Sequence, residues 1–264
     1  MTLAPVLMYH SVGQPRDERF RHWVVSPSLL SDQLSCLAES GYELIGLTEW
    51  ASRKDDAKCA VLTFDDGYAD FTEHALPVLT SLRARATVYV VTGYVGGQAR
   101  WLPFKAERGR PIMTWEDLQA VEDCGIEIGS HGHHHIELDA VPPGLAENDV
   151  RKSRDALTRR GFSPRSFCYP YGYANRKVRE IVAAAGFTTA CIVGRGLADS
   201  EHDLLRVRRV AVGHRTTPET LLRRFHGPAV PAAARLREAA QPTWRLTRRL
   251  RSIARTSALS GVGK

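Results

Sequence analysis

Short apolar runs rich in β-branched residues alternate along the chain with stretches of helical periodicity. This alternation predicts βα units around a mainly parallel sheet or barrel. Gly161 and Gly186 stand where two of the predicted helices would end, as C-terminal glycines often do. The predicted strands are 6–9, 60–64, 86–91, 126–128, 165–169 and 189–193. The predicted helices are 26–41, 70–82, 114–124, 146–160 and 175–185.

Polar side chains directly follow two of the predicted strands. The strand at 60–64 runs into Asp65 and Asp66, and the strand at 126–128 leads into the histidine-rich run 130–135. In a βα barrel the carboxyl ends of the strands form one rim, and that rim carries the active site. The pattern therefore predicts an α/β protein whose chemistry lies at this rim.

The composition supports one large folded domain. Of 264 residues, 43% are hydrophobic and 25% are charged, which excludes disorder throughout and leaves enough apolar material for a substantial core. No apolar run approaches the roughly 18 residues of a membrane-spanning helix. The first residues lack a basic stretch followed by an apolar region, so we expect no export signal. Five cysteines without CxxC spacing favour reduced thiols in the cytoplasm.

The net charge of +7 is concentrated near the C-terminus. Residues 215–264 hold eleven Lys and Arg against two Glu, which leaves 25 basic and 27 acidic residues for the rest of the chain. A nucleic-acid-binding domain usually presents a basic face on its folded body. We therefore predict no nucleic-acid partner.

The basic residues near the C-terminus suggest a separate segment. We predict a folded domain over residues 1–226 and a basic tail over residues 227–264 that is helical or disordered. Trp244 and Leu250 fall on one helical face with arginines around them, a pattern typical of helices that lie on a membrane surface. Docking on the barrel and disorder remain the alternatives.

Two clusters of side chains carry candidate chemistry. Asp65 and Asp66 are adjacent carboxylates, which repel each other unless a cation lies beside them, although Asp-Asp-Gly is also a common turn sequence. His131 and His135 are separated by three residues, a spacing that brings two imidazoles to one metal ion. A surface histidine run is the alternative for the second cluster.

Three motifs in this order resemble the polysaccharide deacetylase family, also called the NodB-homology domain or carbohydrate esterase family 4. The motifs are 63–68 (TFDDGY), 130–135 (SHGHHH) and 167–172 (FCYPYG). Weaker agreement elsewhere extends the likeness over roughly residues 3–225. The resemblance implies a distorted (β/α) barrel and a metal-dependent removal of acetyl from an N-acetylated sugar.

The resemblance also implies roles for four residues of the first two motifs. Asp65 matches the general base, and Asp66, His131 and His135 match the ligands of one divalent metal, most simply zinc. Two imidazoles and one carboxylate leave positions on such an ion open for a water molecule and the amide carbonyl oxygen.

The general acid and the partner of the base are less directly indicated. His10, after the first strand, is our candidate acid, with a purely structural histidine as the alternative; His214 lies where other relatives keep their acid. Cys168 stands where many relatives place an arginine that steadies the base. Arg209 is the candidate replacement, and a structural salt bridge is the alternative.

The remaining predictions concern the substrate. The backbone N–H of Tyr171 matches the donor to the oxyanion. The residues assigned to sugar binding are Tyr9, Tyr68, Tyr169 and Pro170, with Trp101 as a further aromatic candidate. Core packing is the alternative for the aromatic residues.

Together these features predict a hydrolase that cleaves a non-peptide carbon–nitrogen bond in an N-acetylated carbohydrate. The alternatives are an O-acetyl esterase acting on carbohydrates and a carbohydrate-binding relative without catalysis. Two departures from the family pattern support the last alternative: Gly132 replaces a Ser or Thr that would orient a ligand, and Cys168 replaces the arginine. We expect a cytoplasmic protein, in peripheral contact with the inner face of the membrane through its tail.

Overall fold

The computed structural model describes residues 3–53, 57–194, 197–199 and 203–226. Eight strands of this part of the chain form one parallel sheet: β1 Val6–Tyr9, β2 Glu43–Ile45, β3 Cys59–Phe64, β4 Thr87–Val90, β5 Glu127–Ser130, β6 Ser166–Cys168, β7 Thr189–Val193 and β8 Val207–Ala211. The helices are α1 Pro27–Glu39, α2 Leu47–Ser52, α3 Leu76–Ser81, α4 Trp115–Asp123, α5 Pro143–Arg159, α6 Arg176–Ala184 and α7 Pro218–His226.

Seven of these strands close into a barrel. The order is β1, β8, β7, β6, β5, β4, β3, and β3 pairs again with β1. The short strand β2 pairs with the first half of β3. Strand β4 pairs with the second half of β3 along the same edge. The prediction of a distorted (β/α) barrel is confirmed.

Local sequence explains where several helices begin. The Ser26 hydroxyl accepts a hydrogen bond from the Leu29 N–H at the start of α1, and Thr114 and Asp117 form a capping box at the start of α4. The helix predicted over 70–82 forms, but its first part, Phe71–Ala75, is π-helical and continues directly into α3. Pro77 has no N–H to donate, which removes one α-helical hydrogen bond at this junction.

The core has two main layers. Apolar side chains between the sheet and the helices form the larger layer, and alternate residues of each strand fill the barrel interior. Val61, Tyr89, Cys168 and Cys191 lie in that interior. All five cysteines are described, and none forms a disulfide.

The predicted boundary near residue 226 stays a prediction, since residues 227–264 lie outside the described residues. The interfacial-helix prediction falls on the same segment. Among the residues that the structure describes, no helix has the length and apolar character needed to cross a membrane.

Candidate active site

The candidate residues meet at the carboxyl rim of the barrel. Asp65 and Asp66 follow β3, His131 follows β5, and His10 follows β1. A tight turn at Pro170–Gly172 follows β6. Parallel strands thus bring residues far apart in sequence to one place.

The backbone is strained at three positions of this rim. Asp66, His135 and Tyr171 have φ values of 75°, 55° and 61°, and they are three of the four non-glycine residues with positive φ in the described ranges. Left-handed backbone costs such residues roughly 1–3 kcal/mol each. Concentration of this strain at one rim is typical of a functional site.

Asp66, His131 and His135 converge in a geometry suited to a metal ion. The Asp66 Oδ1 atom lies 3.5 Å from His131 Nε2 and 3.3 Å from His135 Nε2, and all three side chains are buried. Asp66 Oδ1 has no hydrogen-bond partner among the described residues. A buried carboxylate oxygen without a partner is costly, and a cation between the three side chains would satisfy it.

The protonation state of His131 also suits a ligand. Its Nδ1 lies 2.8 Å from the Cys168 carbonyl oxygen, which can only accept, so Nδ1 carries the proton and Nε2 presents a lone pair toward Asp66. Burial lowers the pKa of His131 to about 4, which keeps the imidazole neutral near pH 7. A neutral imidazole with a fixed tautomer is the form that binds metals.

A second group of potential ligands, formed by Asp65, His131 and Cys168, fits less well. Both Asp65 carboxylate oxygens already accept hydrogen bonds from Arg209. Arg209 Nη2 also donates to Cys168 Sγ at 2.9 Å, so a cation at this group would lie beside the Arg209 guanidinium. The Asp66 group is therefore the better candidate for a metal site.

Arg209 is paired directly with the predicted base. Its Nη1 and Nη2 donate to Asp65 Oδ1 and Oδ2 at 2.6 and 2.7 Å, and Nη1 also donates to Thr63 Oγ1 at 3.0 Å. Burial alone would raise the pKa of Asp65, but the Arg209 guanidinium brings it below its usual value. Arg209 is 1% exposed, and this salt bridge holds the base itself.

Replacing Arg209 with Met should destabilise the fold by about 3–5 kcal/mol, because Asp65 would be left as an unpaired buried charge. The pKa of Asp65 should rise, so the ionised base would form only at higher pH and the acid limb of the pH–rate profile should move upward. In wild-type protein the lowered pKa of Asp65 contributes stability that is present above the unfolded pKa and is lost as the pH falls through the folded pKa. This pH-dependent contribution should be absent from the variant. Chemical denaturation and pH–rate profiles measure these effects.

Arg176→Met is the matched control for that variant. Arg176 is strongly exposed and, within the part of the chain that the structure describes, pairs with Glu180 alone, at 2.9 Å. An exposed pair of this kind contributes about 0.3–0.5 kcal/mol. Equal losses in the two variants would contradict the role assigned to Arg209.

His10 lies close to the predicted base. Its Nε2 is 3.9 Å from Asp65 Oδ2, and its ring packs against Trp23 with the centroids 4.7 Å apart. His214, the alternative acid, lies elsewhere, with its ring beside that of His22 at 5.5 Å. The structure brings His10 rather than His214 to the base.

The loop after β1 is anchored by a buried ion-pair network. The Asp70 carboxylate accepts from the Ser11 hydroxyl at 2.6 Å and from the Val12 N–H at 3.2 Å, and it pairs with Arg110 at 2.9 Å. This network fixes the segment that follows His10.

Two of the tyrosines assigned to the sugar are buried in the core instead. Tyr9 is fully buried and donates to Gln33 Oε1 at 3.1 Å, and Tyr169 donates to the Leu205 carbonyl oxygen at 3.0 Å. Successive strand side chains point to opposite faces. Tyr9 and Tyr169 therefore point into the layer between sheet and helices, and we withdraw their assignment to the sugar.

Tyr68 and Pro170 are also buried. The Tyr68 ring packs against Phe20 at 6.2 Å, and the Arg110 guanidinium lies 5.5 Å from its centroid. Pro170 begins the turn after β6. Both residues shape the wall of the site without presenting a surface to a sugar.

Three further aromatic side chains lie around the site, and one of them, Trp101, was already a candidate for sugar binding. Trp23 and Tyr171 are each 40% exposed. The Tyr171 ring lies 4.7 Å from the ring of His135, and Trp101 stacks on that imidazole at 5.1 Å. Trp23 was not predicted from the sequence, because it lies thirteen residues from His10 and carries no local signal.

Comparison with known proteins agrees with this fold. The sequence profile of the polysaccharide deacetylase family matches residues 52–190. YxkH of Bacillus subtilis, named as a polysaccharide deacetylase, is 24% identical over 214 residues, which cover 79% of this chain and 71% of YxkH. Streptococcus pyogenes deacetylase PplD, solved in complex with acetate, has a TM-score of 0.72 at 24% identity and covers 86% of this chain and 99% of its own.

A further relative is a poly-β-1,6-N-acetyl-D-glucosamine N-deacetylase of Escherichia coli K12. It is 25% identical over 232 residues, and the match covers 74% of this chain but only 34% of the enzyme. The chain belongs to the polysaccharide deacetylase family. The predicted class, a hydrolase acting on non-peptide carbon–nitrogen bonds, is confirmed at the level of the family. His10 and Arg209 lie outside residues 52–190, so the family match does not test their roles, which rest on the geometry given above.

Proposed function

We propose that this chain is a metal-dependent hydrolase that removes N-acetyl groups from an N-acetylated sugar, as a glycan, a glycan precursor or a sugar-bearing small molecule. One observation carries the proposal: the adjacent carboxylates Asp65 and Asp66 have different partners. Arg209 holds Asp65, whereas Asp66 faces two imidazoles. Neighbouring carboxylates in different environments can perform different tasks.

Asp66, His131 and His135 would hold one divalent ion, for which zinc is our choice. An ion bound there would acidify a water molecule and polarise the acetyl carbonyl group. The buried Asp66 oxygen and the fixed His131 tautomer support this assignment.

The other residues supply proton transfer. Asp65 accepts a proton from the water that attacks the acetyl carbonyl carbon, and the backbone N–H of Tyr171 donates to the developing oxyanion. As the carbon–nitrogen bond breaks, His10 donates a proton to the leaving nitrogen. The products are acetate and a free amino sugar.

Replacing His135 with Ala should lower the zinc content of purified protein far more than His133→Ala or His134→Ala does. His135 Nε2 faces Asp66, whereas His133 Nδ1 is hydrogen-bonded to the Thr92 hydroxyl and His134 Nδ1 to Asp149. Metal analysis after dialysis measures the difference. Equal losses in all three variants would indicate a diffuse chelating surface.

An acetate-release screen tests the reaction itself. The panel holds soluble, lipid-linked and polymeric N-acetylhexosamines with an O-acetylated sugar beside them. We expect equal amounts of acetate and free amine from an N-acetylated substrate. Acetate from the O-acetylated sugar alone would identify an esterase, and no acetate from any substrate would favour a binding protein without catalysis.

We also propose that the enzyme works in the cytoplasm, at the inner face of the membrane. The support is the basic composition of residues 227–264, which suits an anionic surface. Cell fractionation tests this location, and recovery of the native protein outside the cell would contradict it.

A further inference from the structure

Helix α5 holds the loop that carries both predicted histidine ligands. Asp149, on α5, is 1% exposed. Its Oδ2 accepts from the His133 N–H at 2.8 Å, and its Oδ1 accepts from the His134 N–H at 3.0 Å and lies 2.7 Å from His134 Nδ1. One buried carboxylate thus receives two backbone donors from the middle of the loop.

Ser153 contributes a second attachment one helical turn further along α5. The Ser130 hydroxyl donates to Ser153 Oγ at 2.7 Å and accepts from the Gly132 N–H at 3.2 Å. Residues four apart lie on the same face of a helix. Asp149 and Ser153 therefore present one polar face of α5 to the loop.

Gly132 is adapted to this arrangement. Its φ is +77°, and a Cβ atom there would lie 2.8 Å from Asp149 Oδ2. The carboxylate therefore occupies the space that a side chain at position 132 would need. Gly132 lacks the hydroxyl that relatives use to orient a ligand, whereas here the Asp149 carboxylate accepts hydrogen bonds from the same loop.

We infer that Asp149, assisted by Ser153, is a positioning residue that fixes the loop so that His131 and His135 both face Asp66. The inference rests on the proposed metal-dependent function. His135 has a strained backbone with φ of 55°, and such a conformation persists only where its surroundings hold it. Hydrogen bonds to a charged acceptor are roughly twice as strong as neutral ones, which suits the carboxylate for this task.

The test compares zinc affinity with the stability of metal-free protein. Asp149→Asn keeps the side-chain shape, but one oxygen becomes an NH₂ group that faces a backbone N–H. We expect the zinc Kd, measured by competition with a chromogenic chelator, to rise about 10- to 100-fold. Ser153→Ala should have a smaller effect in the same direction. The unfolding midpoint of metal-free protein should fall modestly in Asp149→Asn, because one backbone N–H loses its acceptor, and should change little in Ser153→Ala.

Asp155→Asn is the matched control, because Asp155 lies on α5 but is 45% exposed. A wild-type Kd in Asp149→Asn would overturn the inference, and so would a loss of metal-free stability large enough to account for the weaker binding. If Asp149→Asn does not fold, Ser153→Ala decides: weaker zinc binding at an unchanged midpoint supports the inference, and unchanged binding overturns it. If wild-type protein binds no zinc, the proposed function itself fails. If wild-type protein binds zinc and Asp149→Asn binds it equally well, only this inference fails.

Discussion

Replacing Asp65 with Asn should lower kcat by roughly 10²- to 10⁴-fold, because the amide cannot accept the proton of the attacking water. Bound zinc should remain nearly unchanged. The physical reason is that both Asp65 oxygens face Arg209, whereas the metal is assigned to Asp66 and the two imidazoles. Steady-state kinetics and metal analysis on the same preparation measure both quantities.

Asp66→Asn is the matched comparison, since it makes the same chemical change at the neighbouring position. That variant should lose zinc together with activity. If Asp65→Asn loses zinc to the same extent, Asp65 belongs to the ligand set and the separation of base from ligand is incorrect.

Replacing His10 with Ala should cause a loss of kcat comparable to that of Asp65→Asn. His10 is the imidazole nearest the base, and burial lowers its pKa, although Asp65 and Asp66 oppose that shift. A lower pKa makes the imidazolium a stronger acid toward the leaving nitrogen. Because catalysis needs the protonated form, activity should fall as the pH rises through this pKa, and the variant should lack that basic limb.

Two controls accompany the His10 variant. Substrates with a better leaving group should be affected less, because they need less help from an acid. His214→Ala should retain activity, since the His214 ring lies beside His22 rather than beside the base. If His214→Ala abolishes turnover while His10→Ala leaves the rate and its pH dependence unchanged, the acid is His214.

Local sequence predicted the βα alternation and the chemistry at the ends of the strands, because both are visible in short segments. The resemblance to the family then implied the distorted barrel. The apolar strand β3 leads directly into Asp65 and Asp66, and the spacing of His131 and His135 is visible in five residues. The strands β2 and β8 and the helices α2 and α7 were not predicted. β2 has three residues, too few for a periodic signal.

Long-range partners were harder to predict. The Arg209–Asp65 pair joins residues 144 positions apart, and its geometry depends on how β8 and β3 lie in the closed barrel. Asp149 looked like an ordinary polar residue of an amphipathic helix. Its role depends on the loop that packs against α5, which the helical pattern does not encode.

The aromatic residues show a different difficulty. Tyr9 precedes the predicted acid and was assigned to the sugar because a flat aromatic face suits a pyranose ring, yet strand alternation turns it to the opposite face. Trp23 packs against the ring of His10 because the loop after β1 folds back toward that residue. The position of an aromatic residue at a strand end therefore did not show whether its side chain faces the site or the core.

A crystal structure of the zinc-loaded protein, with anomalous diffraction recorded at the zinc edge, tests the central claim most directly. We predict one zinc ion within about 2.0–2.2 Å of an Asp66 oxygen and of Nε2 of both His131 and His135. Asp65 should still be paired with Arg209. Zinc bound by Asp65, His131 and Cys168 instead, or no zinc at the rim of the barrel, would contradict the account.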